Sequence, residues 1–263
     1  SLRMLAALAA LDQLHMRRWD FEAAYLQGDL EVGESVDCSA PPGHATTGGD
    51  GGVVVWRAQR PVYGMAQAGR RWQRSLYPWL LEFGLQQSEA DPSVFYMRTT
   101  PDAYHHKDAS IAADVLYVGC YVDDLFILYK HDGGGSLYDK FTTALKQRWR
   151  VEDEGPITDL LNIEIEREGD AITLKQTSYI TKLCKEYFPD GPPAHIHAST
   201  VPHTMDIRES VIEATADGAA PADPALAPKY KRLVGALLYC STQTRPDAVS
   251  YTHLRAHETV HHR

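Results

Sequence analysis

The hydrophobic and polar positions along the 263-residue chain divide it into alternating helical and extended segments. Apolar residues at three- and four-residue spacing predict amphipathic helices, and short β-branched or aromatic runs between turn residues predict strands. The predicted helices are 2–11, 66–83, 137–149, 177–188 and 229–241; the predicted strands are 17–21, 53–56, 94–97, two within 115–129, 161–166 and 171–174. This order predicts an α+β fold with a sheet and helices on one face.

The composition is that of an ordinary globular protein, with 44% hydrophobic and 23% charged residues. The four cysteines are scattered without a C-x-x-C pair, which fits a reducing compartment better than a disulfide framework. No apolar run approaches the ~20 residues that cross a bilayer, so no membrane partner is expected.

The net charge and the distribution of charge along the chain lead to different expectations about nucleic-acid binding. A formal net charge of −9 argues, taken alone, against nucleic-acid binding. However, residues 57–74 are rich in arginine, whereas residues 152–170 are acidic. Because the local field decides where a polyanion binds, nucleic acid remains a candidate ligand.

Two adjacent aspartates, Asp123 and Asp124, interrupt the apolar run 115–129. A buried charge costs several kcal/mol unless it is paired or bound to a metal. One interpretation is a solvated turn, although Asp-Asp is a poor two-residue hairpin turn. The other is a divalent-cation site, since Mg²⁺ prefers carboxylate oxygens. Asp20 adds a third carboxylate if it ends a neighbouring strand; alternatively, it caps the short helix that follows it.

Six stretches resemble, in order, the motifs of one enzyme family. They are W-D-F-E-A-A-Y-L-Q-G-D-L at 19–30, P-P-G at 41–43, V-Y-G-M-A-Q-A-G-R-R-W at 62–72, S-E-A-D-P-S-V-F at 88–95, Y-V-D-D at 121–124, and the segment 230–239 followed by T-R-P-D at 244–247. Y-V-D-D alone is a weak signal, but six ordered matches are strong. The chain therefore resembles, from residue 1 to about residue 248, the reverse transcriptase of copia-type LTR retrotransposons.

The resemblance implies an RNA-directed DNA polymerase with a palm, that is, a ferredoxin-like antiparallel sheet with helices on one face. Asp20, Asp123 and Asp124 are then the catalytic residues and hold two Mg²⁺ ions, with Mn²⁺ as an alternative. The primer 3′-hydroxyl attacks the α-phosphate of a dNTP, and the protein mostly positions the reactants and stabilises charge.

The resemblance also assigns roles to residues that contact the substrates. Phe21 is expected to offer its backbone carbonyl to the nucleotide, and the ring of Tyr25 to exclude a ribose 2′-hydroxyl. Gln67 is expected to contact the nucleotide or the template, and Arg70 and Arg71 to contact nucleic acid. Without the resemblance, Tyr25 reads as core, Gln67 as a helix start and the two arginines as a solvated face.

The family context sets the expected domains and partners. We expect a palm with partial fingers and the start of a thumb at 1–188, a Pro/Ala-rich linker at 189–228, a connection helix at 229–248 and a tail foreign to the family at 249–263. The hairpin at 168–174 is expected to grip the primer. The implied partners are an RNA template, a DNA or tRNA primer, dNTPs, and the rest of the polyprotein, with integrase upstream and RNase H downstream. The family's life cycle implies cytoplasmic virus-like particles and nuclear entry.

Three rival interpretations stay open at this point. Most of the basic fingers and the RNase H region are missing, so we expect a piece of a longer polyprotein that could be catalytically inactive. The second rival is a nucleic-acid-binding module without chemistry. The third is a zinc hydrolase, because H-E-T-V-H at 257–261 formally fits the H-E-x-x-H motif, although that motif needs a third ligand.

Overall fold

The computed structural model describes residues 2–44, 46–47, 51–99, 114–131, 133–191 and 226–249. Contacts divide the chain into two compact units, residues 1–157 and 158–263. This boundary lies inside the segment 1–188 that the sequence assigns to one domain. Most of the predicted linker, the predicted tail from residue 250 onward, and the H-E-T-V-H motif lie outside the described residues.

The first unit contains four helices and eight strands among its described residues. The helices are α1 (Leu2–Leu11), α2 (Ala24–Gln27), α3 (Ala68–Phe83) and α4 (Leu137–Arg148). The strands are β1 (His15–Phe21), β2 (Asp37–Ser39), β3 (Val55–Arg57), β4 (Gln86–Gln87), β5 (Val94–Arg98), β6 (Val115–Tyr121), β7 (Asp124–Tyr129) and β8 (Val151–Pro156). Six of them form an antiparallel sheet in the order β4-β5-β6-β7-β1-β8, which confirms the α+β prediction. The other two, β2 and β3, pair separately.

The connectivity of this sheet decides which strand ends meet. The elements β1, α3, β6, β7, α4 and β8 follow one another as a split β-α-β-β-α-β unit. Strand β1 is inserted between β7 and β8 and pairs antiparallel with both. The end of β1 therefore lies beside the turn that joins β6 to β7.

One side of the sheet packs against α3 and α4. Because strand residues alternate between sides, Trp19 and Leu125, which are paired across β1 and β7, face the same way. Both belong to a single buried cluster with residues of α2, α3 and α4; the helix members are Ala24, Trp72, Leu76, Leu80, Leu137, Phe141 and Leu145. The buried residues of α1 lie outside this cluster, so α1 does not follow the predicted arrangement with helices on one face.

The opposite side of the sheet has its own close packing. Phe126 on β7 lies across from Gly119 on β6. A Cβ atom added at Gly119 would lie 2.1 Å from the Phe126 ring, closer than real atoms approach. A glycine is therefore needed at this position because the ring occupies the space of a side chain.

Some local features differ from what the sequence pattern indicates. Strand β8 was not predicted because half of its sequence, V-E-D-E-G-P, is acidic, yet alternate residues of it are partly buried. Helix α3 runs unbroken from Ala68 to Phe83 with Pro78 inside it. The helix that begins at Thr177 is preceded by Gln176, which provides no side-chain cap.

The second unit contains a three-stranded antiparallel sheet and two longer helices. Its elements are β9 (Asp159–Leu160), β10 (Ile163–Glu168), β11 (Ala171–Lys175), α5 (Thr177–Tyr187), α6 (Ala227–Gln243) and a 3₁₀ turn (Pro246–Val249). The predicted hairpin across residues 168–170 is confirmed as β10 and β11. None of the helices in the described residues combines the length and apolarity that a membrane crossing requires.

Candidate functional site

Three aspartates meet at one end of the central strands. Asp20 on β1 lies directly opposite Asp124, the first residue of β7. Asp123 precedes it in the turn between β6 and β7. The interpretation of Asp20 as a helix cap is wrong, because Asp20 belongs to β1 and the residue that precedes α2 is Ala23.

The turn differs from the Asp-Asp hairpin tip considered from sequence. Tyr121 and Asp124 are paired, so the two turn residues are Val122 and Asp123. Val122 has a φ of 53°, which is a left-handed conformation that a β-branched residue rarely adopts. Such backbone strain costs about 1–3 kcal/mol and persists only where the surroundings hold it.

Two hydrogen bonds hold this turn from the core side. The indole Nε1–H of Trp72 on α3 donates to the carbonyl oxygen of Val122 at 2.7 Å. The backbone N–H of Phe21 donates to the carbonyl oxygen of Asp123 at 2.9 Å. The rings of Phe21 and Trp72 are packed edge to face at 4.8 Å. The strained turn is thus fixed by two residues that also belong to the core.

A single arginine links the carboxylates on the other side of the sheet. Arg18 on β1 forms ion pairs of 2.9 Å with Asp124 and with Glu154 on β8. Asp20 lies between these groups, and its pKa is raised, first by burial and then by the negative charges of Asp124, Glu154 and Asp123. Arg18 opposes that shift. The site therefore concentrates negative charge that a cation would relieve.

The two carboxylate oxygens of Asp123 differ in their surroundings. Oδ2 accepts a hydrogen bond of 2.8 Å from the hydroxyl of Tyr63. Burial, followed by this hydrogen bond to Asp123, raises the pKa of Tyr63 to about 12. Oδ1 is buried and has no hydrogen-bond partner among the described residues. A buried carboxylate oxygen without a donor is costly, and a bound cation is one way to satisfy it.

The carboxylates are ligands of the type that Mg²⁺ prefers, but they do not form a preformed metal site. Within the described ranges, no three histidine, cysteine, aspartate or glutamate side chains are arranged so that they could hold a metal ion. Asp124 instead pairs with Arg18, and one oxygen of Asp123 pairs with Tyr63. The donor set and the unpartnered Oδ1 of Asp123 fit a hard divalent cation once those two contacts open.

The residues expected to contact the nucleotide lie around this turn. Phe21 is 1% exposed, so only its backbone can face a ligand. Tyr25 on α2 is half-buried and packs against Tyr63, with the ring centroids 4.5 Å apart and the rings tilted by 34°. Gln67 immediately precedes α3, as the helix-start interpretation expects, and its Nε2 donates to Glu34 at 3.2 Å.

The two arginines expected to contact nucleic acid have different environments. Arg70 on α3 is exposed, as a residue on a solvated face would be. The side chain of Arg71 is only 12% exposed and pairs with Glu31 and with Glu34, the latter at 2.8 Å. Arg71 therefore holds the loop before β2 against α3, and it can meet a phosphate only if those pairs open.

Three residues of the site were not singled out from the sequence: Arg18, Tyr63 and Trp72. Tyr63 and Trp72 lie in the stretch 62–72 that carries the resemblance, and this was the available signal for them. Helical spacing marks Trp72 as core, which it is, but spacing cannot reveal a hydrogen bond to Val122. Arg18 needs the pairing of β1 with β7 and β8 before its role can be seen.

The fold and the site define a class: an α+β domain whose central antiparallel strands present clustered aspartates at a strained turn. The chain belongs to the family described as reverse transcriptase (RNA-dependent DNA polymerase), whose model matches residues 1–189. The resemblance to the copia-type element proteins is thereby confirmed.

Named relatives agree with this assignment. The chain is 25% identical, over 94% of its length, to the Retrovirus-related Pol polyprotein from transposon TNT 1-94 of Nicotiana tabacum. It is 28% identical, over 99% of its length, to that from transposon RE2 of Arabidopsis thaliana. It spans 17% and 16% of these two polyproteins. No solved structure matches the chain.

Proposed function

We propose that this chain is the polymerase part of a copia-type Pol polyprotein and transfers nucleotides from dNTPs to a primer 3′-hydroxyl on an RNA template. The observation that carries the proposal is the meeting of Asp20, Asp123 and Asp124 at one strand end, with Asp123 Oδ1 buried and unpartnered. Family membership supports the reaction class.

In this proposal the three aspartates hold the divalent ions. Bound Mg²⁺ would activate the attacking oxygen and stabilise the leaving one. The chain's own contribution is to keep the turn in place: Trp72 and Phe21 fix the backbone of Val122 and Asp123. Such preorganised positioning accounts for most of the protein's part in phosphoryl-transfer chemistry.

The contacts of Asp124 with Arg18 and of Asp123 with Tyr63 belong, in this proposal, to the substrate-free state. Substrate and ion binding would displace both and free the carboxylate oxygens. Tyr63 would then move away from Tyr25, which it packs against, and the Tyr25 ring would lie against the sugar and disfavour a 2′-hydroxyl. Gln67 and Arg70 would contact the nucleotide and the template strand.

The wider context follows from the relatives and is equally a proposal. The names of the relatives describe Pol polyproteins of transposons. We place integrase upstream and RNase H downstream of this chain, and its action in cytoplasmic particles that later deliver DNA to the nucleus. The hairpin of β10 and β11 would hold the primer.

Primer extension with Mg²⁺ and dNTPs on an RNA template tests the proposal. Asp123→Asn keeps the size of the side chain but removes its charge, so extension should fall by on the order of a hundredfold or more. Glu82→Gln removes an acidic charge from the exposed surface of α3 and serves as the matched control. Equal extension by the parent and Asp123→Asn would refute the assigned site. Primer-template binding without extension by either would favour the binding-module alternative.

A further inference from the structure

A second charged feature lies away from the aspartates, at the C-terminal end of α4. An open cavity of about 310 Å³ is lined there by α2, the Arg60 loop and the segment 146–150. Four of its eight lining residues are basic, and none is acidic; the lining residues are Leu26, Gln27, Arg60, Lys146, Gln147, Arg148, Trp149 and Arg150. In a chain with a net charge of −9, this cavity is a local concentration of positive charge.

Three of the four cations of the cavity are available to a ligand. Within the described residues, Lys146, Arg148 and Arg150 form no ion pair with a carboxylate. Lys146 Nζ lies 5.0 Å from the centroid of the Trp19 ring, and the Arg148 guanidinium lies 4.3 Å from that of Trp149. A guanidinium stacked through its face keeps its N–H edge free to donate, so this contact orients Arg148 without consuming its donors.

The wall of the cavity is rigid. Gln27 donates from Nε2 to the carbonyl oxygens of Glu22 and Arg150, both at 2.8 Å, and its Oε1 accepts from the N–H of Arg150 at 2.8 Å. Arg60 donates to the carbonyl oxygen of Gly28 at 3.0 Å and also pairs with Asp29. These bonds tie α2, the Arg60 loop and the backbone of Arg150 together, so the segments that carry the cations are positioned before any ligand arrives.

The helix dipole accounts for only part of this cluster. Lys146 and Arg148 lie in the last turn of α4, where cations stabilise the helix end. Arg150 follows the helix and Arg60 comes from a distant loop, so neither is explained in that way. Trp149 is 4% exposed and cannot stack on a base, and the basic lining favours phosphate oxygens as the groups that the cavity recognises.

We infer that this cavity binds the phosphodiester backbone of a single-stranded nucleic acid outside the aspartate site. The inference rests on the proposed function, because it assumes that the chain handles nucleic acid. Lys146 contacts Trp19 on the side of the sheet that packs on α3 and α4, whereas Asp20 points to the other side. None of the three aspartates lines the cavity, so the cavity is separate from the aspartate site. An open cavity suits a strand that passes over it and leaves one or two phosphates in contact.

Fluorescence anisotropy of a labelled oligouridylate, without Mg²⁺ and across a series of salt concentrations, tests the inference. The double variant Lys146→Gln, Arg150→Gln is compared with Lys140→Gln, Lys182→Gln, which removes the same charge from exposed positions outside the cavity. The cavity variant should bind about tenfold more weakly near 0.1 M salt. Its log–log salt slope should be about 0.7 to 1.4 units shallower, since one or two phosphate contacts are lost and each removes about 0.7.

Two results would overturn the inference: equal affinity and slope in the two double variants, or displacement of the RNA from the parent chain by pyrophosphate at equal phosphate concentration. The second result would identify a small-anion site instead of a strand site. Primer extension on the same proteins keeps this inference distinct from the proposed function. If extension depends on Asp123 but the two double variants bind RNA equally well, the inference about the cavity is refuted and the proposed function is not. If RNA binding depends on the cavity but the parent chain does not extend primers, the proposed polymerase function is refuted and the inference about the cavity is not.

Discussion

The two sides of strand β1 carry different chemistry although they alternate along the same seven residues. On the side that packs on α3 and α4, Trp19 and Phe21 are each 1% exposed. On the other side, Arg18 and Asp20 keep partial contact with solvent and belong to a charged cluster. Since successive residues face opposite sides, a slip of one residue in register would exchange core and site.

This difference shows how the core determines the geometry of the site. The apolar side fixes the register of β1 against β7, and register alone places Asp20 opposite Asp124. Trp72 extends this control, because its ring is buried in the core and its N–H holds the turn at Val122. The charged side is the less favourable one for stability: it accumulates carboxylates and raises the pKa of Asp20. Changes on the two sides should therefore separate stability from activity.

The largest expected effect comes from the apolar side. Leu80 on α3 is fully buried, whereas its neighbour Leu81 is 48% exposed. Leu80→Ala should lower the free energy of unfolding by about 2–5 kcal/mol, because it leaves a cavity in the core. Leu81→Ala, the same change in the same helix, should stay within about 0.5 kcal/mol of the parent. Urea unfolding measures both; similar losses would mean that α3 does not pack on the sheet as described.

A smaller effect is expected where the core meets the turn. Trp72→Phe keeps an aromatic ring but leaves the carbonyl oxygen of Val122 without its donor, which should cost about 1–3 kcal/mol. Trp149→Phe is the matched control, because Trp149 lies in the same aromatic cluster and its Nε1 has no hydrogen-bond partner within the described residues.

Activity distinguishes a positioning role for Trp72 from a merely structural one. If Trp72 positions the turn, kcat for primer extension should fall by about tenfold, while the KM for dNTP changes less. The loss should exceed that of Trp149→Phe when both are measured well below their unfolding midpoints. A loss of stability in Trp72→Phe with no change in kcat would show that the hydrogen bond supports the fold alone.

The sequence predicts those features of this arrangement that depend on local pattern. The helical spacing of α3 and α4 and the apolar strands β6 and β7 are visible because each element buries one face. Asp123 and Asp124 are visible because two carboxylates inside an apolar run are anomalous. The six ordered motifs indicate the reaction class, which cannot be predicted from hydrophobic periodicity.

The remaining features depend on contacts between distant segments. A valine with positive φ contradicts the usual turn preferences, so the turn at Val122 cannot be predicted without its partner Trp72. The pairing of Arg18 with Asp124 requires the register of β1 on β7. Strand β8 could not be predicted because its acidic residues read as a solvated stretch, although one of them, Glu154, lies in the site beside Arg18.

The smallest expected effect on stability is a gain, not a loss, and it comes from the charged side of β1. The folded-state pKa of Asp20 is raised above its ordinary value of 3.8, so its ionisation is less favourable in the folded chain. A raised pKa contributes stability that is fully present below the pKa of the unfolded chain and is lost as pH rises through the folded pKa. At pH 7 the charged Asp20 is therefore destabilising. Asp20→Asn should stabilise the protein by less than about 1 kcal/mol, given the partial solvent exposure.

The matched control for this change is Asp153→Asn, which lies on β8 opposite Trp19. Asp153 accepts two hydrogen bonds from Arg17, at 3.1 and 2.8 Å. Both variants make the same change in net charge, but Asp153→Asn breaks a two-point ion pair and should destabilise by about 1 kcal/mol. Thermal unfolding at pH 7 should give opposite signs, and the gain from Asp20→Asn should vanish as the pH approaches 3.8. Destabilisation of similar size in both variants would mean that burial and the neighbouring charges do not disfavour the ionised form of Asp20. An Asp20→Asn protein that is more stable than the parent but no longer extends primers would show that the Asp20 carboxylate is needed for activity and lowers stability.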